Sequence, residues 1–247
     1  MDMHISKILT VFSFFFLSLG ATDPIGASEG ILFQETLSEK EQSLVLVASF
    51  TANGDLKKLE KALHDGLDNG LTVNQIKEAM VHLYAYCGFP RSIRGLQTFI
   101  TVLDIRKAKG IEDKWGSEAS PITDNRNKYD RGKENLDKLV GTTLDGPKKG
   151  YAQFSPEIEV FLKEHLFADL FERDVLSYKE RELVTISVIA SIQKAEPMLR
   201  SHMNICLTQG WTAAQLHDFT KIIKENVGKK EGRDAEIVLN ELLESKK

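Results

Sequence analysis

Cysteine is nearly absent. The 247 residues include 2, Cys87 and Cys206, with no Cys-x-x-Cys and no Cys/His ligand spacing. That excludes a disulfide-built scaffold and gives no metal site. Whether the two thiols approach each other is left open by their positions. An excess of one charge is missing too: 32 Lys+Arg face 36 Asp+Glu, well mixed, with no basic stripe. Nucleic acid is therefore excluded as a partner. Long apolar runs are limited to one. Lys7 precedes Ile8 through Leu19, and small residues follow to Ala27. The run is too short to cross a bilayer and reads as a secretory signal peptide over 1–27, an uncleaved anchor being the competing reading. The mature chain is expected to begin near Ser28 without a lipid, to leave the membrane after cleavage, and to reside in a periplasm.

What is present is a repeat. Leu37-Ser38-Glu39-Lys40-Glu41-Gln42-Ser43-Leu44-Val45 returns 139 positions later as Leu176-Ser177-Tyr178-Lys179-Glu180-Arg181-Glu182-Leu183-Val184. Gly70-Leu71-Thr72-Val73-Asn74-Gln75-Ile76 returns 140 positions later as Gly210-Trp211-Thr212-Ala213-Ala214-Gln215-Leu216. One inserted residue separates the matched blocks, so a duplicated unit is expected. Each copy is the other's control: shared residues read as scaffold, and polar residues in one copy alone are the better candidates for chemistry.

The units read as all-α. Ser38-x-x-Glu41 and Ser177-x-x-Glu180 are capping boxes, followed by nearly continuous apolar residues that mark a buried helix. A second helix leads to Gly70 or Gly210, and Thr72-x-x-Gln75 or Thr212-x-x-Gln215 opens a third. We expect units over 28–106 and 151–247 joined by a polar linker, 107–150, with one short helix near 131–139. Apolar residues from Ser155 to Phe171 form a lead-in helix to the second unit. The Lys/Glu-rich end, Lys224 to Lys247, reads as a solvated helix. The two units are taken as one compact domain.

Glu78, His82 and Tyr86 stand four apart and share one helix face. Such a stripe faces solvent, the reading we favour, or lines a pocket between subunits. Arg91 and Arg94, just beyond Gly88 and Pro90, are candidate clamps for an anionic substrate, because guanidinium binds carboxylate bidentately; solvated charges are the alternative.

Leu176 through Ile186, Leu199-Arg200-Ser201-His202 and Gly210-Trp211-Thr212 resemble the carboxymuconolactone decarboxylase family, as does Glu78 through Arg91 with its Tyr-x-Gly-x-Pro turn. The resemblance covers most of the mature chain and implies an alkylhydroperoxidase D-like helical fold in two copies. It places that fold's proton-relay Glu on Glu182 and its His on His202. The thiol positions of its peroxidase branch fall near Ala195 and on Met198. In the first copy the relay positions hold Ser43 and Ala62.

The resemblance implies a cofactor-independent lyase similar to 4-carboxymuconolactone decarboxylase, acting on a small carboxylic acid or lactone. His202 with Glu182 would transfer protons, His82 or Tyr86 would stabilise an enolate, and Arg91 would bind the carboxylate. The alternatives are an antioxidant peroxidase of the same fold, disfavoured by the missing thiols, and a non-catalytic exported binding or assembly protein. A homo-trimer is expected, with pockets mixing His82 and His202 of neighbouring subunits.

Overall fold

The computed structural model describes residues 36–247. The expected signal peptide lies outside the described residues. Among them every regular element is helical.

The capping boxes form as the sequence dictates. Ser38 Oγ accepts from the Glu41 N–H while the Glu41 carboxylate accepts from the Ser38 N–H, and Ser177 with Glu180 repeats the arrangement. They start α1 (Glu39–Asn53) and α7 (Tyr178–Ile192). Both are apolar nearly all round, so each needs cover on every side. They obtain it by packing against each other at the centre of the molecule, where Leu44, Val45, Val47, Leu183, Val184 and Ile186 are almost wholly buried. Each such side chain contributes about 1.5–3 kcal/mol by leaving water.

Around this pair lie α2 (Leu56–Asp68) and α3 (Val73–Ala108) from the first copy, α8 (Glu196–Thr208) and α9 (Ala213–Ile222) from the second. Thr72 and Thr212 cap α3 and α9. Halfway along α3, Gly88 takes φ 81° and ψ 158°, which breaks the helix before Pro90. The insertion that shifts the repeat falls in the α7–α8 turn. There Gln193 and Lys194 have φ of 58° and 57°, where the first copy has Gly54 at 79°.

Two expectations change. The C-terminal segment is not merely solvated: α9 runs through a π-helical turn, Ile223–Val227, into α10 (Lys229–Glu244). Ala235, Val238, Leu239 and Leu242 make a buried stripe on α10, with the Lys and Glu residues on its outer side. The stretch read as a linker is also more ordered than its composition implies. The Val73 and Asn74 amides donate to the carbonyls of Lys114 and Trp115, at 3.0 and 2.9 Å. Further on, α4 (Lys128–Val140) lies along a π-helical segment, Leu162–Leu170, that follows the short α5 (Tyr151–Phe154) and α6 (Pro156–Phe161). Their approach is so close that a Cβ on Gly132 would stand 1.8 Å from the Lys163 carbonyl oxygen. Leu139, Leu166, Phe167, Leu170, Phe171 and Ile205 form a second apolar cluster there, with Val81, Tyr84 and Tyr86 of α3 packed on it. This layer closes one side of the space between α3, α7 and α8.

Candidate acid–base site

The sequence-predicted residues Glu182, His202, His82 and Tyr86 meet within one chain. Glu182 projects from the first turns of α7 and is fully buried. Its Oε2 lies 2.8 Å from Nδ1 of His202 on α8, whose side chain keeps 19% exposure. A carboxylate at Nδ1 holds the proton there and leaves Nε2 as the free base. Tyr86, on α3, sets its ring edge-on to His202 with centroids 5.9 Å apart. The other Glu182 oxygen, Oε1, is buried and without a hydrogen-bond partner; the Tyr86 hydroxyl is buried too and makes no well-aligned hydrogen bond, with the Thr185 hydroxyl as its polar neighbour. Burial and the neighbouring Glu182 charge push the Tyr86 phenol upward, so it stays protonated and serves as a donor.

The stripe expected to face solvent faces inward. Glu78 and His82 are buried, because the opposing helix carries their partners. Arg181 Nη2 donates to Glu78 Oε1 at 2.7 Å, and Arg173 holds the same carboxylate with contacts of 2.9 to 3.0 Å. His82 is enclosed on both nitrogens. Nε2 is 3.0 Å from Thr185 Oγ1, and the Thr185 hydroxyl already donates to the Arg181 carbonyl, so Nε2 must be the donor. Nδ1 then accepts from Arg181 Nη1 at 3.4 Å. Burial, followed by the Arg181 charge and His202, holds His82 well below the ordinary histidine range. Thus His82 is neutral, its nitrogens are engaged, and it is not open to an enolate; Tyr86 is the available donor. The Phe171 ring packs edge-on to His82, 5.2 Å between centroids, and closes the back of the site.

Arg91 and Arg94 are exposed and line another hollow, with Thr51, Gly54, Leu56 and Pro90. Neither Glu182 nor His202 lines that hollow. At the positions that carry thiols in the peroxidase branch stand Ala195 and the exposed Met198. Both cysteines are free thiols. Burial pushes Cys87 up to about 11 despite the pull of Arg91, and burial with the Glu182 charge pushes Cys206 well above the ordinary thiol range. Neither is a ready nucleophile at neutral pH.

Arg181 and Thr185 belong to the site although the sequence reading does not single them out. A signal exists for Arg181: it is a charge on a helix otherwise fit for burial, its counterpart in the first copy is the uncharged Gln42, and a buried charge requires a partner.

The two copies also build two related environments. Each combines the first and second helices of one copy with the third of the other. Where the described site has Glu182, His202, His82 and Tyr86, the repeat places Ser43, Ala62, Ile222 and Asn226 in the second. Ser43 there donates to the Glu39 carbonyl and accepts from Asn69, at 2.8 and 3.0 Å, and Ala62 is buried.

Residues 24–99 and 156–228 each match the family model described as "Carboxymuconolactone decarboxylase family". No curated protein matches the chain.

Proposed function

Since the chain belongs to the carboxymuconolactone decarboxylase family, we propose that it is a lyase working by acid–base chemistry, without a cofactor, on a small carboxylic acid or lactone. What carries the reading is the 2.8 Å contact between buried Glu182 and half-buried His202, with the Tyr86 ring edge-on beside them. In decarboxylation the bond to the carboxylate carbon breaks and its electron pair moves into a conjugated carbonyl, giving an enolate and CO2. Tyr86 donates a hydrogen bond to the enolate oxygen. Protonated His202 then delivers the Nε2 proton to carbon, while Glu182 steadies the imidazolium until that transfer. The partly open edge of His202 lets solvent return the proton, so one proton is consumed for each CO2 released. Apolar neighbours such as Phe171 favour the step by removing water from the reacting carboxylate.

The test is CO2 release from a panel of carboxylated unsaturated lactones. In heavy water the product is expected to gain one deuterium at the carbon that lost CO2. His202→Gln and Glu182→Gln are expected to abolish release while leaving the fold intact. Turnover undiminished in both variants would sink the reading.

A further inference from the structure

Where the π-helical turn Ile223–Val227 joins α9 to α10, the two helices pack together and leave an open hollow of about 740 Å3. The approach is close, since a Cβ on Gly232 would stand 2.3 Å from the Lys224 Cα. Four cations line the hollow: Lys221 and Lys224 from the α9 side, Lys229 and Arg233 from α10. Two carboxylates, Glu225 and Glu236, line it as well, and Glu236 lies 3.4 Å from Lys224. Among the described residues Lys221, Lys229 and Arg233 have neither an ion pair nor a side-chain hydrogen bond, whereas Lys230, outside the lining, holds Asp234 at 2.6 Å. Like charges three or four positions apart on one helix repel, so the arrangement costs stability when nothing neutralises it. The duplication shows that the fold does not require it. Shifted by 140, the four positions hold Val81, Tyr84, Phe89 and Ile93. There Val81 and Tyr84 pack on the second apolar cluster, and Tyr84 stacks on Phe89 with ring centroids 4.4 Å apart. A helix face released from packing needs polar residues, but not four of one sign in a chain whose charges are otherwise near balance.

We propose that this hollow binds a small soluble phosphate, inorganic or carried as a monoester. Four cations against two carboxylates leave a surplus of two positive charges, with His217 in the lining counted as neutral. A phosphate monoester carries about −1.5 to −2 at neutral pH and matches that surplus with a single group. Its oxygens point in different directions, which suits ammonium point charges on separate helices. A carboxylate is flat, carries one charge and suits a fork of two parallel donors. The recess favours a small molecule over a membrane, which calls for an apolar face flanked by basic residues. Glu182, His202, His82 and Tyr86 are not in the lining. The site therefore goes beyond the lyase reading and stands or falls apart from it.

The inference is tested by titrating the full chain at about pH 8, where phosphate is a dianion. The His217 ring signals report on the hollow by NMR. The probes are inorganic phosphate, glycerol 3-phosphate and succinate, a dianion without phosphorus. The phosphates are expected to shift the His217 signals saturably and to bind at least about tenfold more tightly than succinate, since several charge-assisted contacts converge on one group. Lys221→Met combined with Arg233→Met is expected to weaken phosphate binding by about tenfold, each lost surface ion pair being worth up to about fivefold. Lys230→Met, outside the lining, should leave it within about twofold. The absence of a saturable shift would overturn the inference, as would succinate binding as tight as that of phosphate. An equal loss in Lys230→Met would overturn it too, by tracing the effect to net charge. So would binding to phosphatidylglycerol vesicles with no response to the two soluble phosphates. CO2 release enters none of these readouts, so failure of the lyase reading and failure of this inference are separate outcomes.

Discussion

The two environments created by the duplication share a scaffold and differ in what fills it. One holds Glu182, His202, His82, Tyr86 and Arg181; its counterpart holds Ser43, Ala62, Ile222, Asn226 and Gln42. In the second, Gln42 donates to the Leu37 carbonyl and Asp218 accepts from the Leu37 N–H, at 2.8 and 2.9 Å, so polar groups are spent on the chain's own backbone. In the first, a long-range ion pair, Arg181 with Glu78, ties α3 to α7, and the Glu182 Oε1 acceptor remains buried without a partner. The counterpart is thus spent on packing and on the chain's own backbone, while the Glu182 side keeps its titratable groups together. Both depend on helices from both copies, which explains why neither unit stands as a complete site.

The largest asymmetry expected is in activity. His202→Gln or Glu182→Gln should lower turnover by about 10²–10⁴-fold, the usual worth of positioned acid–base groups. Ser43→Ala, at the Glu182-equivalent position, should leave it within about twofold, less than the change from one ordinary hydrogen bond. Steady-state assays of the variants check this, and comparable losses on both sides would break the comparison.

Stability should show the next difference. Arg181→Met leaves Glu78 buried with only the half-exposed Arg173, and breaking a buried pair in this way costs about 3–5 kcal/mol. Its counterpart, Gln42→Met, removes one hydrogen bond to backbone and should cost about 0.5–1.5 kcal/mol. Urea unfolding of the two variants measures the gap.

A third difference is in pH response. His82 is held below the ordinary histidine value of 6.5, whereas Ile222 in the counterpart does not titrate. Above that pH the folded and unfolded chains both carry neutral imidazole, and the stability is fully present. As pH falls below it the unfolded chain takes up the proton first, so stability declines by up to about 1.4 kcal/mol per pH unit until the folded pKa is reached. His82→Gln should remove one proton's share of that slope in unfolding measured from pH 7 to pH 5.

The smallest effect lies in the turns that end the paired central helices. Gln193 occupies a backbone region suited to glycine, with φ 58° and ψ 169°, where Gly54 serves in the first copy. Gln193→Gly should stabilise the protein by roughly 1 kcal/mol, and Gly54→Ala should destabilise it by about as much. Thermal unfolding of the pair tests the assignment of strain.

The repeat, the capping boxes at Ser38, Ser177, Thr72 and Thr212, and the buried character of α1 and α7 are all legible in the sequence, because local periodicity and cap chemistry encode them. Glu182 and His202 are placed by family resemblance. The inward orientation of Glu78 and His82 is not legible: their partner Arg181 is roughly a hundred positions away and on another helix, and no periodicity on α3 reports it. The buried stripe of α10 is hidden for a related reason, since its dense Lys and Glu content obscures Ala235, Val238, Leu239 and Leu242. Arg91 and Arg94 suit an anion by their chemistry alone, and that they line a hollow with Thr51, Gly54, Leu56 and Pro90 is a matter of tertiary placement that the sequence does not report.

Central to the mechanism is that Glu182 fixes His202 so that Nε2 is the free base, while His82 is locked the opposite way. Nitrogen-15 NMR of the ring nitrogens, recorded at a pH where both imidazoles are neutral, tests it directly. The predicted spectrum shows His202 protonated on Nδ1 and His82 protonated on Nε2, with the Nδ1 preference of His202 lost in Glu182→Gln. A His202 protonated on Nε2 in the unaltered protein would contradict the mechanism.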